Sequence, residues 1–392
     1  MYRRQTIEII KKRLNEKRSF IQILLGPRQV GKTTLVMQLK ESGEVPQIYA
    51  SADEAQMRDR HWLETQWQRG RVLAASNGKA VLVIDEIQKV SDWSETVKAL
   101  WDADSRNKVA LHVLLLGSTP LFAARGITES LAGRYETIYA PHWSYQEMSN
   151  AFEYSFAEYL YYGGYPGSAV LRHEPQRWRN YIRESIIEAT VSRDLMATVR
   201  IDKPALLRNL FFLACNYGGR ILSYTKMLGQ LNDAGNTTTL AHYLDLLSQC
   251  GLVCGLQKYS GESVRSRGSS PKLLALDPSL ITASDERDST EWQQDPESMG
   301  HLIENVIGSH LWRASKEKGQ LYYWSEGKWE LDFVYTLGSK ILALEVKSGR
   351  RQNSLSGLTE FKKRYPESRA LIVGSGGVPL EEFLNSSPGD WL

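Results

Sequence analysis

Gly26, Pro27, Arg28, Gln29, Val30, Gly31, Lys32 and Thr33 have the spacing GxxxxGK[ST], and Thr34 follows. Glycines at both ends of this run let the backbone wrap tightly, so that successive N–H groups face an anion. Lys32 is then placed to reach the terminal phosphates of a nucleoside triphosphate, and the Thr33 hydroxyl to bind Mg2+. A second group completes this chemistry. The run VLVIDEI ends in Asp85 and Glu86. Asp85 is expected to hold the Mg2+, directly or through water, and Glu86 to polarise the attacking water. These residues together predict ATP as ligand and Mg2+ as its cofactor.

Two further runs bear on the same site. The run HVLLLGST ends at Ser118 and Thr119, where a polar residue is expected to contact the γ-phosphate or orient the water. ESLAGR ends in Arg134. Two roles are open to Arg134: reaching a phosphate across a subunit interface, or forming a surface salt bridge.

A separate set of polar residues lies near the C-terminus. Glu304 sits in HLIENVIGSHLW, Asp332 in ELDF, and Glu345 and Lys347 in EVK. In a strand, residues two apart share a face, so Glu345 and Lys347 lie with Ile341 and Ala343. The order of helix acid, strand acid and ExK resembles the PD-(D/E)xK nuclease constellation. Carboxylates on adjacent strands share a hard cation such as Mg2+ through oxygen. That ion activates water and stabilises charge on a phosphodiester. Glu304, Asp332 and Glu345 are then the metal ligands, and Lys347 positions the water or stabilises developing charge. The competing reading is a structural set of Glu–Lys–Asp ion pairs. Burying an unpaired charge costs several kcal/mol, so either a metal or a tight ion pair is expected.

The elements that must hold these groups follow from hydrophobic pattern. Up to about residue 140, short apolar runs alternate with helical ones, which predicts a parallel sheet covered on both faces. From about 152 to 199 the pattern is helical, broken by GGYPG at 163–167. Residues 204–259 read as three helices, and 252–276 as two strands around the polar tip ESVRSRGSSP. That combination predicts a winged helix. Its third helix offers few basic side chains, while Arg265, Arg267 and Lys272 near the tip favour contact with DNA phosphates; the competing reading is a winged helix used for packing or protein contact. Residues 282–299 lack apolar periodicity and are expected to be a linker. The tail reads as helix, three strands, helix and strand. The expected fold class is therefore α/β: a P-loop NTPase parallel sheet, a helical lid, a winged helix and an αβββαβ nuclease-like domain. The expected boundaries are 1–150, 151–203, 204–281, a linker at 282–299, and 300–392.

Bulk composition narrows the function. With 42% hydrophobic residues the chain has enough apolar content for real cores. The net charge of +3 gives no argument for nucleic-acid binding from the total, so any basic surface must be local. The longest apolar run, at 109–116, is interrupted by His112 and too short to span a bilayer, so no membrane is expected. The N-terminus lacks the pattern of a secretory signal. Three cysteines without CxxC spacing fit a reducing cytoplasm.

GPRQVGKTT, VLVIDEIQ, LLLGST and ESLAGR, in this order and with GGYPGSA and SRDL, resemble the bacterial and archaeal AAA-type ATPases that carry a DUF4143 C-terminal region. One departure is Ser118-Thr119, where broader AAA+ proteins commonly have asparagine. The resemblance implies an ATPase core with a winged helix and a nuclease-like tail, and the ATPase class implies a homo-oligomeric ring. Two functions are consistent with it. One is an ATP-driven enzyme acting on nucleic acid through an Mg2+-dependent nuclease tail. The other is an ATPase switch or scaffold that grips DNA or a protein partner through a catalytically inactive tail.

Overall fold

A computed structural model describes residues 2–43, 45–55, 58–118, 130–198, 200–232, 235–261, 269–349 and 355–392, without the side chains of 118, 197 and 198. The chain divides into two compact units: residues 1–141 with 197–200, and residues 142–196 with 201–392.

The first unit is an α/β fold with five parallel strands: β1 (Ile21–Gly26), β2 (Gln47–Ser51), β3 (Ala80–Asp85), β4 (Leu111–Ser118) and β5 (Tyr135–Tyr139). Their spatial order is β2-β3-β4-β1-β5. Alternate strand residues point to opposite faces, and both faces are buried. Leu82 and Ile84 pack with Leu63 and Trp67 of α3 (Arg60–Asn77) and Val97 and Trp101 of α4 (Trp93–Arg106). Val81 and Val83 pack with Ile7 and Ile10 of α1 (Thr6–Asn15) and Leu35 and Val36 of α2 (Lys32–Glu41). In-register pairing sets Gly26 beside Ser118 and Ser51 beside Asp85, so the polar residues collect at one edge of the sheet.

The second unit begins with two short helices, Tyr145–Phe152 and Phe156–Tyr162, each opened by a capping box (Ser144 with Glu147, Ser155 with Glu158). The GGYPG loop follows, and its glycines have a packing reason. A Cβ on Gly163 would stand 2.1 Å from Asp277 Oδ1, and one on Gly164 would stand 2.2 Å from the Trp143 carbonyl oxygen. Buried Asp277 accepts from Gly164 N–H at 2.7 Å. Helices Pro204–Asn216, Tyr224–Gln230 and Thr237–Gln249 lead to an antiparallel ribbon of β6 (Val253–Leu256) and β7 (Lys272–Ala275).

The stretch expected as a linker is largely helical. Asp288 caps the helix Ser289–Gln294, which buries Trp292, and Asp295 caps the 22-residue helix Pro296–Glu317. After it come β8 (Gln320–Glu326), β9 (Trp329–Leu337), β10 (Lys340–Lys347), the helix Ser356–Arg364 and β11 (Arg369–Gly374). The sheet order is β11-β10-β9-β8, with β11 parallel to β10 and the other pairs antiparallel. No described helix is long and apolar enough to cross a membrane. All three cysteines are free and buried.

Candidate functional sites

The 26–33 turn joins the end of β1 to the start of α2. Its bends fall on Gly31, the left-handed N-cap of α2 at φ 88°, and on Gln29 at φ 60°. Gly26 is required for space, because a Cβ there would lie 2.1 Å from the Ala140 carbonyl oxygen. Glycine tolerates both demands at little steric cost. The α2 N-terminus thus opens on the turn with its first N–H groups lacking intrahelical partners, the arrangement that suits phosphate. Lys32 Nζ donates to the carbonyl oxygens of Gly26 at 3.1 Å and Pro27 at 2.7 Å, so its stem folds back over the turn. Within the turn Val30 is buried, Arg28 half-buried and Gln29 exposed, and Thr34 faces outward beyond it.

Asp85 is buried at the end of β3. Its Oδ2 accepts from Thr33 Oγ1 at 2.8 Å and from Tyr49 Oη at 2.9 Å, and its Oδ1 accepts from Glu86 N–H at 2.9 Å. The structure therefore brings Thr33 and Asp85 together as an oxygen pair of the kind Mg2+ takes. Tyr49, on β2, is a participant that no motif signalled. Burial raises its hydroxyl's pKa, as does the bond to Asp85, so it stays a donor.

Glu86 has a left-handed backbone, φ 53° and ψ 38°, uncommon for a residue with a Cβ. Gln88 Nε2 donates to Glu86 Oε2, and Lys89 Nζ stands 3.9 Å from the same oxygen while pairing with Asp53. Burial raises the Glu86 carboxyl's pKa, with Lys89 opposing. A carboxylate with raised basicity is a better proton acceptor.

Arg134 presents its fork to Asp102 on α4, with Nε to Oδ1 at 2.8 Å and Nη2 to Oδ2 at 3.0 Å. Of its two open roles, this bidentate pair is the salt bridge. The Arg134 bond holds the Asp102 carboxyl below the usual range. Ser118 ends β4 beside Gly26, its side chain lying outside the described part, and Thr119 lies outside the described residues entirely.

The C-terminal acids come together, but around a residue expected elsewhere. Lys272, on β7, is wholly buried. Its Nζ lies 2.5 Å from Glu304 Oε1, 3.4 Å from Asp332 Oδ1 and 3.5 Å from Glu330 Oε1. Asp332 Oδ2 accepts from Val346 N–H at 2.8 Å. Lys347 Nζ donates to Glu345 Oε1 at 2.6 Å. Among the described residues, no three His, Cys, Asp or Glu are grouped to hold a metal ion. The expectation that Lys272 meets DNA phosphates is corrected, since it has no exposed surface. Arg265 and Arg267 lie outside the described residues. Burial lowers the pKa of the Lys272 ammonium, but Glu304, Asp332 and Glu330 outweigh that and hold it above lysine's ordinary value. Burial raises the carboxyls of Glu304 and Glu345, as does nearby Asp332, against the pull of the lysines.

Comparison with known proteins matches three segments. Residues 18–149 match the family described as AAA domain, 153–291 a domain of unknown function (DUF8612), and 299–382 a domain of unknown function (DUF4143). Residues 18–149 are thus an AAA-type ATPase-like domain, which implies nucleotide binding with a divalent metal. An uncharacterized protein of Mycobacterium tuberculosis is 27% identical over 385 residues, covering 96% of this chain and 81% of that protein. One of Haemophilus influenzae is 23% identical, with coverage of 91% and 89%, and one of Methanocaldococcus jannaschii 22% identical, with 92% and 81%. A solved chain from "Structural Basis for Katanin Self-Assembly" is 16% identical, covering 37% of this chain and 49% of that one at a TM-score of 0.27.

Proposed function

We propose that the chain is an ATP-hydrolysing switch whose first unit binds and turns over MgATP. The observation that carries this reading is the Thr33–Asp85 hydrogen bond of 2.8 Å at the mouth of the Gly26–Thr33 turn. The turn's N–H groups and the start of α2 hold the phosphates, and Lys32 swings from the Gly26 and Pro27 carbonyls to the terminal phosphates. Thr33 and Asp85 hold the Mg2+, with Tyr49 keeping Asp85 oriented. When bound, the ion neutralises charge on the phosphates. Glu86 orients a water and accepts its proton, and Gln88 fixes the carboxylate until substrate arrives.

The output of the switch lies in the second unit. Its three helices and β6–β7 ribbon support the winged-helix reading, and the helix-strand order of the tail supports the nuclease-like one. Of the two functions consistent with that fold, an inactive tail that grips DNA or a protein is favoured over Mg2+-dependent cleavage, because Glu304 and Asp332 already face Lys272. Ring assembly with Arg134 acting in trans requires that Arg134 leave Asp102.

Two assays test this. Glu86→Gln should bind ATP yet release little phosphate, and normal turnover in that variant removes Glu86 from its role. Duplex, branched and single-stranded DNA should stay intact with Mg2+ or Mn2+, with or without ATP. Cleavage that Lys347→Ala abolishes would restore the nuclease reading.

A further inference from the structure

Lys272 and Glu304 are brought together by the fold rather than by sequence proximity. Lys272 is fixed by backbone on both sides. It pairs with Leu256 across the ribbon and bridges to Ile221, and Leu273 N–H donates to the Arg220 carbonyl at 2.9 Å. The helix Pro296–Glu317 is clamped to the same strand. Buried Asn305 donates to the Ala275 carbonyl at 2.8 Å and accepts from the Ala275 N–H at 2.9 Å. Glu304, one residue earlier, is thereby held against Lys272. Asp332 comes from β9, which also brings the Phe333 ring to 5.0 Å from the ammonium.

We propose that Lys272 is a tethered cation: its ammonium fills the position between Glu304 and Asp332 that a divalent metal would take. These acids therefore clasp the β6–β7 ribbon to the tail instead of binding Mg2+. The chemistry of the group fits the role. An ammonium has three donors and no acceptor, and three carboxylates lie within reach. Mg2+ needs oxygens at about 2.0–2.1 Å in near-octahedral array. It cannot share the space with an ammonium 2.5 Å from Glu304, and the two like charges would repel in a site with little water to screen them. The remaining acid of the constellation, Glu345, has its own lysine in Lys347. The residues present thus do not fit a resident metal. They form an ion-paired joint that makes the ribbon, the helix and the tail sheet one body.

This inference deepens the inactive-tail reading but uses no nucleotide, so its failure is separable from failure of the ATPase assignment. The experiment is Mn2+ binding to the nucleotide-free full chain, followed by electron paramagnetic resonance and by thermal unfolding. The wild type should show no bound Mn2+ that Glu304→Gln removes. Lys272→Ala should gain one site, binding Mn2+ about tenfold or more tightly than the wild type, with Mn2+ raising its unfolding temperature. Adding Glu304→Gln to Lys272→Ala should abolish the gain. Wild-type Mn2+ binding that is lost in Glu304→Gln overturns the proposal, as does a folded Lys272→Ala that binds none. If Lys272→Ala folds only with Mn2+, that rescue supports it. If it never folds, the wild-type and Glu304→Gln pair decides alone.

Discussion

Replacing Lys272 by methionine removes a charge but keeps most of the side chain's volume, which isolates the ion pairing. Lys272 has no exposed side-chain surface, and Glu304 and Asp332 retain 18% and 16% of theirs. Removing one member of a buried ion pair costs about 3–5 kcal/mol. The folded chain can limit that cost by protonating one carboxyl. From an ordinary glutamate pKa near 4.3, this costs about 1.4 kcal/mol per pH unit, or about 3.7 kcal/mol at pH 7. The two routes agree on a loss of about 3–4 kcal/mol at pH 7. Protonation also fixes the pH dependence. In the variant the folded state keeps a proton that the unfolded chain releases, so stability falls as pH rises above about 4.3. The wild type shares part of this dependence, because its Glu304 carboxyl is also raised, so the deficit relative to wild type should shrink towards pH 5 without vanishing. Urea unfolding at pH 5 and pH 7, followed by tryptophan fluorescence and circular dichroism, measures both deficits. The unfolding temperature at pH 7 should drop by roughly 10 °C. A loss under about 1 kcal/mol at pH 7, or an equal loss at both pH values, would refute the buried-clasp argument.

Other perturbations probe the second unit. Gly163→Ala places a Cβ 2.1 Å from Asp277 Oδ1 at φ +71°, so it should destabilise by about 2–4 kcal/mol through overpacking and left-handed strain; an unchanged unfolding temperature would contradict that close approach. His310 is buried and its Nδ1 lies 2.7 Å from Arg313 Nη2; burial, helped by Arg313, pushes its pKa down to about 3. Its contribution is complete above about pH 6.5 and is lost towards pH 3 at roughly 1.4 kcal/mol per unit. His310→Phe should therefore flatten the acid limb of a stability–pH curve, and an unaltered limb would show that His310 is not the titrating group.

What the sequence makes legible is local. The Gly26–Thr33 spacing places its own glycines and lysine, and the continuous apolar run of β3 carries Asp85 and Glu86 to the sheet edge. Both signals span fewer than about ten residues, within reach of pattern. Tyr49 escapes because all five residues of β2 are only half-buried, leaving no face to read. Lys272 escapes for a different reason. Its partners Glu304 and Asp332 come from other elements, and a lysine beside a polar tip reads as solvated. Charge balance held a partial cue, since the partly desolvated tail acids demanded either a metal or ion pairs, and two lysines answer that demand. The helices within 289–299 carry only local start signals, Asp288 with Glu291 as a capping box and Asp295-Pro296 as a helix start. Low apolar periodicity masked both. For Arg134, the sequence contains Asp102 but not the packing that brings α4 alongside.

The central claim is that the Gly26–Thr33 turn binds a triphosphate. Equilibrium titration of a fluorescent ATP analogue with Mg2+ into the wild type and Lys32→Ala tests it most directly. Saturable binding to the wild type that is lost in a folded Lys32→Ala variant is the predicted result. Equal binding by both proteins, or none by the wild type, would contradict it.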